Sequence, residues 1–98
     1  MKRFILGTNR TTEEQDKAFY AMLRARWPQL GWWHQLGETW LFVDLTDSLT
    51  VADIRDLATV AFPGVPLIVV EGTGAHSWAG FGKAERFEWM KSDWDREG

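Results

Sequence analysis

The sequence predicts an α+β domain ordered strand, helix, strand, strand, helix, strand. Three observations carry this. A hairpin-like stretch occupies the middle of the chain, a capped amphipathic segment lies on each side of it, and a short apolar run stands at each end of that order. The middle stretch, residues 31–44, reads GWWHQLGETWLFVD, with aromatic and β-favouring residues on both sides of Leu36-Gly37-Glu38. Gly37 makes that connection suitable for a turn, since glycine takes positive φ without steric cost. The returning arm, Trp40-Leu41-Phe42-Val43, is apolar at every position, whereas a strand with one wet face alternates. Both of its faces are therefore expected to be covered.

From the N-terminus, Phe4-Ile5-Leu6 is the apolar centre of a first strand that leaves through Gly7-Thr8-Asn9-Arg10, and it is expected to lie inside the sheet. Thr11-Thr12-Glu13-Glu14 fits a capping box in which Thr11 accepts from the backbone of Glu14, and acids suit the positive end of a helix. Ala18, Phe19, Met22, Leu23 and Ala25 then form one stripe, and Pro28 disfavours helix at Trp27, so this helix ends near Arg26. After the hairpin, Thr50 and Asp53 resemble a second cap, with Leu49 and Ile54 spaced as a hydrophobic staple. Val51, Ile54, Leu57, Ala58 and Ala61 repeat at helical spacing until Pro63-Gly64. Leu67-Ile68-Val69-Val70 is a last strand, again without alternation.

This order is the ferredoxin-like βαββαβ arrangement, with both helices on one face of an antiparallel sheet. One domain is expected over residues 1–98, with its core in 1–71 and a C-terminal loop and short helix in 72–98. If Leu41 and Val43 face the helices, Trp40 and Phe42 project from the open face, and so large an apolar patch calls for cover. The tail supplies some, because Phe87, Met90 and Trp94 fall at helical spacing. It is too short to cover the whole face, so a homodimer with Trp40 and Phe42 in its interface is expected.

Composition sets the limits on function. Seven tryptophans and six phenylalanines in 98 residues are a large apolar payload for a small domain and favour a protein partner. No cysteine is present, which excludes disulfides, thiolate metal sites and cysteine nucleophiles and agrees with a cytoplasmic setting. No segment reads as a signal peptide or a membrane span. The net charge of −3 is unevenly placed: the first 33 residues carry six cations and three anions, the remainder five cations and eleven anions. Nucleic-acid binding is therefore expected to be weak and local to the N-terminal third, where Arg3, Arg10, Trp32 and Trp33 are the residues that could pair with phosphates and stack on bases.

Other chemistry finds little support. His34 and His76 lack metal-ligand spacing, so no metal and no cofactor is expected. His34 reads as a packed strand histidine before a general base. Ser77 beside His76 lies in GAHSWAG, which is no nucleophile elbow, and Gly72-Thr73-Gly74 lacks the remaining residues of a phosphate loop.

WWHQLGETWLFVDL, then TVADIRDL, then PLIVVEGTGAHSWAGF leading into a helix around Glu88-Trp89-Met90, resemble in order and spacing the SinR-like small proteins, similar in turn to the small CRISPR-associated endoribonuclease of the adaptation complex and to VapD-type toxins. The resemblance spans about residues 31–90 and implies a ferredoxin-like fold that dimerises through its sheet. The nucleases of that wider group place an aspartate at the end of the first strand, where paired carboxylates hold a divalent metal. Here the corresponding stretch is Leu6-Gly7-Thr8-Asn9, where Asn9 is neutral and cannot supply that charge. The expectation is thus a dimeric interaction module without catalysis, linked through the resemblance to phage-defence, toxin–antitoxin or mobile-element systems. The alternative is a weak endoribonuclease or nucleic-acid-binding protein with a non-standard site around Asn9, His34 and Asp44.

Overall fold

The computed structural model describes residues 1–72 and 75–96. Six elements follow one another: β1 (Lys2–Thr8), α1 (Glu13–Arg26), β2 (Gly31–Leu36), β3 (Thr39–Asp44), α2 (Val51–Ala61) and β4 (Leu67–Gly72). The strands form one antiparallel sheet in the order β2-β3-β1-β4, with the helices on one face, which is the ferredoxin-like topology. β1 is internal, as its apolar run predicts. The tail that follows carries the expected short C-terminal helix, a continuous helical stretch that is 3₁₀ over Ala84–Phe87 and widens to π over Met90–Trp94.

Both helices start where capping chemistry puts them, with one correction. Thr50 accepts from the backbone N–H of Asp53 at 3.2 Å, and the Asp53 carboxylate accepts from Thr50 N at 2.8 Å. Leu49 and Ile54 are both buried beside that cap, completing the staple. At α1 the cap is Thr12 with Gln15, not Thr11 with Glu14: Thr12 Oγ1 accepts from Gln15 N at 3.1 Å, and Thr12 N donates to Gln15 Oε1 at 2.9 Å. Thr11 instead donates its hydroxyl to Asp16 Oδ1 at 2.6 Å. The hairpin turn also differs, since Gly37 does not adopt positive φ; the left-handed positions among the described residues are Asp47, Gly64, His76 and Gly82.

The sheet faces are the reverse of the expectation. Trp40 and Phe42 point at the helices, where with Phe4, Leu6, Phe19, Leu23 and Ile54 they make the main core. Phe19 stands edge-on to Trp40 at 5.0 Å between ring centroids and to Phe42 at 6.3 Å. Leu41 and Val43 point the other way, joined by Trp33 from β2 and covered by Met90 and Trp94 from the tail. Trp40 and Phe42, at 2% and 0% exposure, are core residues and do not lie on the open face. A strand apolar at every position has a period of two but no visible phase, so the sequence leaves its facing free.

Polar contacts pin the tail to the sheet and close it on itself. Arg3, projecting from the centre of the sheet, donates through Nε to Trp94 O at 2.6 Å and through Nη2 to Arg96 O at 2.7 Å. Asp95 Oδ1 accepts from His76 N at 2.7 Å and from the Trp78 indole at 2.9 Å. The Trp33 indole donates to Arg86 O at 2.6 Å. The fit is close: a Cβ on Gly72 would stand 3.2 Å from the Trp94 ring, and one on Gly80 only 2.6 Å from the Phe87 ring.

Candidate functional site

The residues named for chemistry occupy three places. Asp44 ends β3, and its carboxylate organises the turn into α2. Oδ1 accepts from Thr46 N at 3.1 Å and Thr46 Oγ1 at 2.8 Å, and Oδ2 accepts from Leu49 N at 2.9 Å. Burial opposes its ionisation, but the hydrogen bonds from Leu49, Thr46 and Ser48 outweigh burial and hold its carboxyl below the ordinary value. Its acceptor positions are thus spent on the fold.

His34 lies on the helix side of β2, stacked on Trp40 with ring centroids 3.8 Å apart and planes 8° from parallel. Its Nδ1 is 2.9 Å from the Thr39 carbonyl, which can only accept, so Nδ1 carries a hydrogen. Nε2 lies 3.5 Å from Asp16 Oδ2, whose other oxygen holds the Thr11 hydroxyl. Thr11, Asp16, His34 and Thr39 therefore form one polar chain that ties the start of α1 to the hairpin. Asp16 is absent from the sequence-based candidates; its signal is its position four residues after Thr12, on the helix turn that faces the hairpin.

Asn9 is exposed just beyond β1, where its N–H donates to Pro66 O at 3.0 Å. Gly7, Thr8, Asn9, Glu38, Thr39 and Pro66 line a shallow hollow of about 490 Å³ there. Asn9 and His34 share this end of the sheet because Thr8 N bonds Glu38 O in the hairpin turn. Asp44 belongs to the other end, where it pairs with Lys2, five strand positions or about 17 Å from Thr39. The trio Asn9, His34 and Asp44 is not assembled.

The nucleic-acid candidates are dispersed as well. Neighbours along a strand point to opposite faces, so Trp33 lies under the tail while Trp32 faces α1, edge-on to Tyr20 at 4.7 Å. Arg3 is buried with its guanidinium bound to tail carbonyls, and Arg10 is exposed beyond the far end of β1. Gly72-Thr73-Gly74 extends outside the described residues. Among the described residues no three His, Asp or Glu side chains converge to hold a metal ion, and no helix is long and apolar enough to cross a membrane.

One surface did not figure among those candidates. The tail covers β2, β3, the Arg3 end of β1 and Gly72 at the end of β4, and it leaves the rest of the β4 side of the sheet open. Ile68 and Val70 are 64% and 42% exposed there, beside the half-buried Ile5 that pairs with Val70. The visible signal is the run Leu67-Ile68-Val69-Val70, apolar on a face for which the short tail has no cover. Comparison of the chain with protein-family models, with curated proteins and with solved structures finds no match.

Proposed function

We propose that this chain is a small cytoplasmic interaction module of the SinR-like type that works as a homodimer and carries no catalysis. Its association with a phage-defence, toxin–antitoxin or mobile-element system follows from the sequence resemblance alone. The observation that supports it best is a division of labour among side chains. The polar groups available for chemistry, Asp44 and His34 above all, are engaged in turns and inter-element ties, while Ile68 and Val70 stand apolar in water. The dimer contact originally expected of Trp40 and Phe42 thus passes to the β4 side of the sheet.

A second reading is kept by one feature, the hollow beside Asn9 at the end of β1, the strand end at which the resemblance implies a metal site. The test is an RNase and DNase assay on purified protein across several divalent metals, with the mass in solution measured on the same sample. The module reading expects a dimer and no turnover. Turnover that disappears in Asn9→Ala and His34→Ala would establish the endoribonuclease reading instead.

A further inference from the structure

The two edges of the sheet are finished differently. Along β2 the pairing with β3 shifts between Trp33 and Leu36, and the Trp89 ring stands 3.5 Å from where a Gly31 Cβ would be. A bulge and a covering side chain are two of the usual ways to keep an edge from pairing with another chain. β4 has neither. It pairs with β1 in unbroken register from Arg3↔Gly72 to Thr8↔Leu67, contains no lysine or proline, and among the described residues faces no strand on its outer side.

We infer that the β4 edge seats a second copy of this chain, with two β4 strands pairing antiparallel about a two-fold axis at Val69, a step that rests on the homodimeric reading above and gives it a surface. A two-fold normal to a sheet keeps each residue on its own face, so a residue must sit on the axis. With Val69 there, Ile68 of each copy lies opposite Val70 of the other. Those four side chains make one apolar stripe on the open face, next to Ile5 of both copies.

Charge favours this register over one centred on Val70. Glu71 pairs with Phe4 and so projects to the helix side, where Val51, Ala52, Arg55 and Leu67 border a groove along the edge. Centring on Val69 brings Glu71 of one copy opposite Leu67 of the other, beside Arg55. Arg55 is exposed and engages Asp56 Oδ1 through Nε and Nη2 at 3.0 and 2.9 Å, which leaves other guanidinium hydrogens to donate. The two Glu71 carboxylates then stand about 13 Å apart along the strands, whereas centring on Val70 would bring them to about 7 Å. Antiparallel pairing also supplies partners for the outer N–H and C=O groups of β4, which an apolar patch alone would not.

The test is sedimentation velocity through the micromolar range on four proteins. They are the unmodified chain, I68K/V70K, E71R, and E71R combined with R55E, each checked for fold by circular dichroism. All four positions are exposed, so the fold is expected to survive. The expected result is a dimer for the unmodified chain, a monomer for I68K/V70K, a dimer weakened about tenfold for E71R, and recovery in the double charge exchange. A monomeric unmodified chain overturns both this surface and the homodimeric reading. A dimer indifferent to I68K/V70K overturns the β4 surface and leaves the homodimeric reading standing. Loss of the dimer in I68K/V70K without any effect of E71R overturns the register at Val69.

Discussion

The two faces of the sheet are closed by different means. On the helix side, Phe4, Leu6, Trp40 and Phe42 meet regular helices that satisfy their own backbones and are capped at their first turns. On the other side, Trp33, Leu41 and Val43 meet a short tail helix of 3₁₀ and π geometry, held by Arg3, Asp95 and the Trp33 indole. A helix brings many contacts with few points of failure. A short helical tail of mixed 3₁₀ and π geometry depends on each anchor, so its opening should be a separate event of lower free energy than global unfolding.

The largest effect should come from the helix side. Phe19→Ala removes the ring that touches Trp40, Phe42 and Phe62 and should cost about 3–5 kcal/mol, read as global destabilisation in chemical denaturation. A markedly smaller loss would mean that the helix-side core is not what holds the sheet.

Arg3→Met keeps the apolar stem but removes both donors to the Trp94 and Arg96 carbonyls, and should weaken tail closure by about 1.5–3 kcal/mol. Amide hydrogen exchange is the measurement. Residues 84–94 should exchange faster while α1 amides change little. Equal acceleration in both would join the two faces into one cooperative unit and break the comparison.

Acid gives the smallest effect. What desolvation Asp95 feels opposes ionisation, but hydrogen bonds from His76 N and the Trp78 indole, together with the nearby His76 ring, hold its carboxyl below the ordinary value. A depressed carboxyl contributes stability above its unfolded pKa, near 4, and that contribution is lost as pH falls through the folded value. The Trp78 indole N–H resonance should therefore move below about pH 4 and lose that dependence in Asp95→Asn. An indole shift that persists in Asp95→Asn would assign the acid response elsewhere, Asp44 being the other depressed carboxyl.

Element order, the second cap and the interior place of β1 were legible because each depends on neighbours within a few positions. The first cap was off by one because Thr11 and Thr12 are both followed, three residues on, by a side chain able to complete a capping box. Tertiary contact separated them, since Thr11 is drawn to Asp16 while Thr12 takes the extended backbone of a cap. The candidate sites were less legible still. Asn9, His34 and Asp44 were grouped by residue type, whereas their separation depends on strand register, which pairs Asp44 with Lys2 at the end remote from the hairpin turn.

Sequence by itself determined the βαββαβ order, since periodicity, caps and turn residues act over distances shorter than one element. Only the tertiary structure decided that Trp40 and Phe42 belong to the helix core, and that Arg3 anchors the tail. TWLFVD offers apolar side chains to both faces, so its phase was settled by packing: the edge-on ring of Phe19 fits Trp40 and Phe42, and the tail fits Leu41 and Val43. The same long-range packing leaves Ile68 and Val70 uncovered, because the tail reaches β4 at its Gly72 end, beside Arg3, and does not extend along the rest of that strand.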